Sequence, residues 1–206
     1  MALPSEAPFF IKKTMSKQFD VIVIGGGPGG YIAAIRAAQL GFNTACIDEW
    51  KNAAGGPAPG GTCTNVGCIP SKALLQSSEH FDHASHHFAD HGITAKDVKM
   101  DVAKMVARKD GVVKQNNDGI LYLLKKNKVS FFHGRGAFAA AKDGAYEIKV
   151  GDETLVAKNV IIATGSNARA LPGAAFDEEN ILSNDGALRL GAVPKKLGVI
   201  GSGVIG

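Results

Sequence analysis

Two apolar runs near the start of the chain flank a stretch with helical spacing. The run Asp20–Ile24 is continuously apolar after its first residue, which predicts a strand buried on both faces of a parallel sheet. The alanine-rich stretch Tyr31–Leu40 predicts a helix, and Gly41 is placed to end it as a C-cap. A second strand then ends at Asp48 and Glu49. This order of strand, helix and strand predicts an α/β fold.

The middle of the chain predicts two helices. One helix is expected from Ser71 to about Phe88, and a second, longer one from Asp101 to Lys126. The second carries an apolar stripe that core packing alone explains, and it consists of Val102, Met105, Val106, Val113, Ile120 and Leu124.

Short strands are predicted after the second helix. After a strand at Val129–Phe132, apolar and polar residues alternate in Ala145–Val150 and Thr154–Ala157, which indicates an antiparallel hairpin that interrupts the parallel pattern. A buried strand, Asn159–Gly165, follows the hairpin, and Lys196–Ile200 also has the composition of a strand.

A glycine-rich turn directly follows the first strand. In a dinucleotide-binding turn, Gly25 would allow the tight bend, Gly27 would let the backbone approach a pyrophosphate, and Gly30 would allow close contact between helix and strand. An acidic residue about 20 positions later is the usual ribose acceptor, and we take Asp48 first and Glu49 second. The alternative is that both are ordinary surface carboxylates at a strand end. The predicted site comprises Gly25, Gly27, Pro28, Gly29, Gly30, Asp48 and Glu49.

A second glycine pattern follows the last predicted strand. Gly201, Gly203 and Gly206 have the spacing of another dinucleotide turn. We therefore expect a tail at 1–14, disordered or added upstream, a first dinucleotide domain at 15–190, and the first strand and turn of a second one at 191–206.

Two cysteines, Cys63 and Cys68, precede a predicted helix start at Pro70. Proline suits the first helical position, so both sulfurs are expected near the positive end of a helix dipole, which favours thiolate. A redox-active pair is our first interpretation. A structural disulfide is the second, and a zinc site the third, because the chain lacks a second Cys/His pair at a suitable spacing. Cys46 lies within a predicted strand and is expected to be a small buried residue.

Composition and charge exclude several classes of function. The chain is 45% hydrophobic and 20% charged, which is ordinary for a globular protein. Its net charge of +4 is spread along the chain, so nucleic acid is not implied. No apolar stretch reaches the roughly 20 residues of a membrane span, and the order of basic and apolar residues near the start does not fit a secretory signal. We expect a cytoplasmic protein without a membrane partner.

Four histidines recur at helical spacing, and they suggest either a metal site or a solvated face. No carboxylate or cysteine is placed to complete a coordination geometry, so we favour the solvated face. These residues are His80, His83, His87 and His91.

Three blocks of sequence together resemble the flavin-dependent pyridine nucleotide-disulfide oxidoreductases. They are Gly25–Gly41, Gly60–Leu75 and Val160–Ser166. The residues after the cysteines, Ser71–Leu75, are most similar to the dihydrolipoamide dehydrogenases of that family. The resemblance implies a Rossmann-like FAD-binding domain whose antiparallel β-meander crosses one face of the sheet, followed by the start of a Rossmann-like NAD-binding domain.

The resemblance also implies an activity, which the 206 residues are expected to lack by themselves, because the family takes its acid-base histidine from a later domain and none of the six histidines here matches it. Cys63 would be the thiol that exchanges with substrate, Cys68 would face the flavin, and Lys72 would lie beside the flavin ring. The substrate would be dihydrolipoyl groups on the acyltransferase of 2-oxo acid dehydrogenase complexes, with NAD as acceptor and a homodimer as the active form. A related disulfide or mercuric-ion reductase, or a non-catalytic flavin-binding module, are the alternatives, and NAD against NADP stays open. Further implied cofactor contacts are Gly61, Thr62, Gly136, Ala163, Thr164, Gly165 and Ser166, with Gly201, Gly203 and Gly206 for NAD.

Overall fold

A six-stranded mixed sheet forms the centre of the molecule. The computed structural model describes residues 16–203. The strand order is β3-β2-β1-β6-β5-β4, with β3, β2, β1 and β6 parallel and with β5 and β4 added in antiparallel fashion. The predicted α/β class and the antiparallel meander are therefore confirmed. The strands are β1 Lys17–Ile24, β2 Thr44–Asp48, β3 Ser130–His133, β4 Gly136–Lys142, β5 Ala145–Val150 and β6 Glu153–Ile162.

Helices cover one face of the parallel strands. The α-helices within residues 16–203 are α1 Pro28–Gln39, α2 Gly61–Val66, α3 Cys68–Asp82, α4 Val102–Lys126 and α5 Asn184–Ala187. A π-helical turn, His83–His87, and a 3-10 turn, Phe88–His91, continue α3. The long helix predicted between residues 101 and 126 is thus confirmed, and Asp101 caps it by accepting a hydrogen bond from the Lys104 N–H at 3.0 Å.

Alternate residues of β1 enter two different hydrophobic clusters. Val21 and Val23 pack with residues of α1 and α4, and Cys46 lies fully buried in the same cluster, as predicted. Ile22 and Ile24 face the other way and pack with β5 residues such as Ile148. This alternation follows from the two-residue period of a strand. The meander therefore covers the face of the sheet opposite the helices, as the resemblance implied.

Strand β6 corrects one sequence prediction. Thr154–Ala157 and Asn159–Gly165 were expected to form two separate strands, but residues 153–162 form one. Leu155 pairs with Ile148 of β5 and with Lys17 of β1, so the first half of β6 has strands on both sides. The second half pairs with β1 alone, and Ile161 and Ile162 are 38% and 66% exposed, so the prediction of a buried strand at Asn159–Gly165 is wrong in its burial and in its end, which is Ile162.

The helix after the cysteines begins two residues earlier than predicted. Its first residue is Cys68, which places Pro70 at the third position of the helix. The first N–H groups of an α-helix have no partner within the helix, so a proline fits at the third position as well as at the first.

Residues 188–203 contain no strand, although one was predicted at Lys196–Ile200. The apolar side chains of this run are exposed, including Ile200 at 83%. A strand requires hydrogen bonds from an adjacent strand, and none of the described strands lies beside this run. The assignment of 191–206 to a second domain therefore stays a prediction. The predicted tail at 1–14 and Gly206 lie outside the described residues, and no described helix is both long and apolar enough to cross a membrane.

Candidate functional site

Two glycines make the turn between β1 and α1 possible. Gly25 has a φ of +110°, and a Cβ added to it would lie 2.0 Å from the Ala163 carbonyl oxygen. A Cβ on Gly30 would lie 1.7 Å from the carbonyl oxygen of Gly25. Both distances are far inside van der Waals contact, so only glycine fits. Helix α1 thereby packs closely enough against the strand ends to point its N-terminal N–H groups at the turn.

Asp48 lies directly beside this turn. Its Oδ2 accepts a hydrogen bond of 2.7 Å from the Gly26 N–H, and its Oδ1 accepts one of 3.0 Å from the Trp50 N–H. Burial raises the pKa of Asp48, although these two N–H groups and His133 act in the opposite direction. Glu49 is exposed, and its carboxylate lies 3.5 Å from the Arg135 guanidinium. Of the two predicted ribose acceptors, only Asp48 contacts the glycine turn.

A second glycine turn packs against the first. The Gly60 N–H donates a hydrogen bond of 2.8 Å to the carbonyl oxygen of Gly26. Gly61 has a φ of +59°, and a Cβ on it would lie 2.8 Å from the Gly27 Cα. Thr62 and Cys63 follow Gly61 at once in α2, so the start of the cysteine motif sits against the N-terminus of α1.

The two cysteines lie on consecutive helices that Gly67 separates. Cys63 is in α2 and Cys68 is the first residue of α3. Burial is the main cause that raises the pKa of Cys63, and a hydrogen bond with the Cys68 thiol adds to it. The Cys68 N–H and the Lys72 ammonium lower that pKa by less. The expectation that the thiolate is favoured at both cysteines is therefore wrong for Cys63, because burial and the Cys68 thiol outweigh the groups that lower its pKa.

Three asparagine side chains anchor the cysteine segment, and sequence reasoning missed all of them. Asn65 Nδ2 donates to the carbonyl oxygens of Ala58 and Gly61, each at 3.0 Å. Asn117, which is 6% exposed in α4, donates to the Pro59 carbonyl oxygen at 2.8 Å and to Asn65 Oδ1 at 3.1 Å. Asn184 in α5 donates to a carbonyl at the end of α2. Asn117 lies within the apolar stripe of α4, and a polar residue at such a position could have indicated a buried hydrogen bond.

The remaining predicted residues fall into three groups. The Ala163 side chain packs on the first glycine turn, and the segment that follows it, Thr164–Ser166, is exposed. Gly136 lies against the core, since a Cβ there would lie 3.1 Å from Ile24 Cγ2, and its contact with the cofactor stays a prediction. Gly201 and Gly203 are exposed.

The histidine-rich turn after α3 makes local contacts with carboxylates. His86 Nδ1 lies 2.9 Å from Asp82 Oδ1, and His87 Nε2 lies 3.6 Å from Asp82 Oδ2. Within residues 16–203, no three His, Cys, Asp or Glu side chains are grouped so that they could hold a metal ion.

Comparison with known proteins agrees with this geometry. The family model described as pyridine nucleotide-disulphide oxidoreductase matches residues 19–206. The chain belongs to this family. It is 57% identical over 194 residues to a dihydrolipoyl dehydrogenase of Cupriavidus necator, covering 93% of this chain and 41% of that protein. It is 50% identical over 192 residues to the mitochondrial dihydrolipoyl dehydrogenase of Pisum sativum, covering 93% of this chain and 37% of that protein.

A solved structure shares the fold. The crystal structure of LpdA from Mycobacterium tuberculosis matches with a TM-score of 0.73 and 28% identity, over 85% of this chain and 38% of that one. The chain thus spans about two fifths of the length of the relatives it matches. Dihydrolipoyl dehydrogenases use FAD and NAD, so the predicted cofactors are confirmed for the family.

Proposed function

We propose that the complete protein containing this chain is a dihydrolipoyl dehydrogenase with FAD as cofactor and NAD as electron acceptor. The observation that carries the proposal is the hydrogen bond from Gly60 to Gly26, because it packs the segment bearing Cys63 against a dinucleotide-binding turn. Relatives at 57% and 50% identity bear this name. The proposed substrate is the dihydrolipoyl group of an acyltransferase in 2-oxo acid dehydrogenase complexes, and the proposed active form is a homodimer.

The residues of the first glycine turn fit a dinucleotide. A Cβ on Gly27 would make ordinary van der Waals contact with Gly61 Cα at 3.6 Å, so the two glycine turns pack on each other there. Pro28 has no N–H, and the N–H groups of Gly30 and Tyr31 both bond to the Gly27 carbonyl oxygen, so the Gly29 N–H is the donor that the start of α1 would offer to a pyrophosphate. Asp48 would accept a ribose hydroxyl with the lone pairs that its two backbone hydrogen bonds leave free. Thr62, Lys72 and the Ala163–Ser166 segment would contact the remainder of the flavin nucleotide.

The cysteines would carry two electrons from the substrate. One thiolate of the dihydrolipoyl group attacks Cys63 Sγ, breaks the Cys63–Cys68 bond and leaves Cys68 as a thiolate. The second substrate thiol, after losing its proton, attacks the substrate sulfur of the mixed disulfide and releases the Cys63 thiolate. The substrate ends as a disulfide and the protein as a dithiol. The Lys72 ammonium stabilises the Cys63 thiolate that is released in the second step. Bound FAD supplies a two-electron relay from this dithiol to NAD.

We also propose that residues 15–190 belong to the FAD-binding domain and that 191–206 begin the NAD-binding domain, where Gly201, Gly203 and Gly206 would form the turn. The cytoplasmic location expected from the sequence stays a prediction, since the Pisum sativum relative is named mitochondrial.

Activity of the complete, flavin-loaded protein tests the proposal. Dihydrolipoamide should reduce NAD, whereas NADH or NADPH should reduce glutathione disulfide or mercuric ion poorly. Cys63→Ser and Cys68→Ser should each abolish the reaction with dihydrolipoamide, and Cys46→Ala serves as the matched control because Cys46 is a fully buried residue of β2, outside the cysteine motif. A protein that folds without flavin, or that prefers glutathione disulfide or mercuric ion, would show that the proposed activity is wrong.

A further inference from the structure

Helix α2, which carries Cys63, lacks its own means of holding its ends. It has six residues, and the residues that flank it, Gly60 and Gly67, provide no side-chain cap. So short a helix has little stability alone, and the last carbonyls of any helix have no partner within it. Contacts from elsewhere in the chain must therefore fix its end, which lies one glycine before Cys68.

The amide of Asn184 provides such a contact. Its Nδ2 donates a hydrogen bond of 2.6 Å to the carbonyl oxygen of Val66, the last residue of α2, across 118 positions of sequence. The bond is partly buried, so water competes with it poorly. Asn184 thus caps the helix of Cys63 from outside the cysteine motif.

Hydrogen bonds also fix Asn184 in its own place at the start of α5. Glu178 Oε1 accepts a hydrogen bond of 2.6 Å from Ser183 Oγ, and Glu178 Oε2 accepts one of 2.8 Å from the Gly186 N–H. Ser183 caps α5 by accepting from the Asp185 N–H at 3.2 Å. The asparagine side chain is therefore presented to Val66 by a segment with a defined conformation.

We propose that Asn184 is a positioning residue that sets the equilibrium between dithiol and disulfide at Cys63 and Cys68. A disulfide forms only within a narrow range of distances between the two cysteines. In the dithiol form nothing covalent restrains that distance, so the contact at Val66 reduces the conformational freedom that must be lost when the bond closes. Without it, the dithiol gains freedom and the disulfide becomes easier to reduce. The inference rests on the proposed redox role of the cysteine pair.

Substitution Asn184→Asp tests the proposal in the complete, flavin-loaded protein. It preserves the shape of the side chain and suits the first turn of α5, yet it replaces the donor with an oxygen that the Val66 carbonyl repels. The matched control is Asn180→Asp, the same change at an exposed side chain whose backbone N–H, not its amide, bonds to Asp177. Each protein is equilibrated without oxygen against mixtures of dithiothreitol and its cyclic disulfide, which exchange two electrons and two protons with the cysteine pair. Alkylation and mass spectrometry then give the ratio of dithiol to disulfide.

We expect Asn184→Asp to shift this ratio toward dithiol by about tenfold, a change of about 30 mV in the two-electron potential. Asn184→Ala, which removes the donor without repulsion, should shift it about threefold, within the worth of one hydrogen bond. Asn180→Asp should leave it unchanged, and urea unfolding should show all variants folded. If the parent and Asn184→Ala show the same ratio of dithiol to disulfide, the proposal is wrong. This comparison remains decisive if Asn184→Asp fails to fold. A parent that forms no Cys63–Cys68 disulfide would instead refute the proposed function.

Discussion

The backbone N–H of Gly60 donates a hydrogen bond of 2.8 Å to the carbonyl oxygen of Gly26. This bond joins two turns that lie far apart in sequence. Because both bonded residues are glycines, no side chain separates the two backbones. A dinucleotide held by the first turn would therefore lie next to the start of α2. The relative position of cofactor and cysteines is then a property of backbone packing, which makes the glycines themselves the residues to test.

Gly30→Ala should destabilise the protein strongly. The new Cβ would lie 1.7 Å from the Gly25 carbonyl oxygen, which is a backbone atom, so the main chain itself would have to shift. We expect a loss of about 1–3 kcal/mol or more in the free energy of unfolding, measured by urea titration. Gly119→Ala in α4 is the control, since nothing lies within 4 Å of the new Cβ, and it should gain about 0.5–1 kcal/mol. Similar losses at both positions would contradict the packing described here.

Asn117→Ala should loosen the segment that precedes Cys63. The buried amide bridges the Pro59 carbonyl oxygen and Asn65, so its removal leaves two acceptors without a donor at a cost of about 1–3 kcal/mol. The neighbouring variant Asn116→Ala loses only a bond to Val112 within its own helix and should cost less. Urea unfolding gives the free energies, and limited proteolysis near residue 60 reports the loosening. Equal behaviour of the two variants would count against the anchoring role.

Alkylation of Cys63 in the reduced protein should require a higher pH than that of an ordinary thiol. Burial and the Cys68 thiol raise its pKa, so at a given pH less of it is thiolate, and half-maximal reaction with iodoacetamide should occur above the usual value of about 8.5. Lys72→Met should move this midpoint higher still, because the ammonium stabilises the thiolate. Lys114→Met, at an exposed lysine paired with Asp118, should not move it. Mass spectrometry of the Cys63 peptide gives the rates, and a midpoint lowered by Lys72→Met would be the opposite of what we expect.

Cys46 should not react while the protein is folded. Burial raises the pKa of this thiol to about 12, and its side chain has no exposed surface. Iodoacetamide at pH 8.5 should therefore label Cys63 and Cys68 in the reduced native protein and all three cysteines in urea. Labelling of Cys46 at the native rate of Cys63 would show that the strand β2 is not buried as described.

The part of the site that the sequence predicts is the part encoded by local geometry. Gly25 and Gly30 are recognisable because a strand, a tight turn and a helix must follow each other at fixed spacing, and Asp48 follows from the end of the next strand. The start of α3 was misplaced because proline is compatible with several positions in the first turn of a helix. Cys63 was misjudged because its pKa depends on burial that only the folded chain creates.

The anchoring amides could not be predicted in the same way. Asn117 donates a hydrogen bond to a residue that is 58 positions away in sequence, and Asn184 to one that is 118 positions away. Their partners therefore depend on how α4 and α5 pack. An asparagine in a long helix or a loop is an ordinary residue until its neighbours are known. The extent of β6 depends on packing in the same way, because β1 pairs with residues of both halves and so joins two segments that the sequence pattern separates.

Strand β6 also determines which parts of the sheet unfold together. Its first residues hydrogen-bond to β5 on one side and to β1 on the other, so the meander has no boundary at which it could detach without exposing the parallel strands. Amide protons of β5 and of the central parallel strands should therefore exchange with solvent in one cooperative unit, whereas those of the loop at 188–203 should exchange much faster. A hairpin at the edge of a sheet can often move independently of the other strands. Among the described strands the meander cannot, so we expect the surface beside the first glycine turn to move only together with the whole sheet.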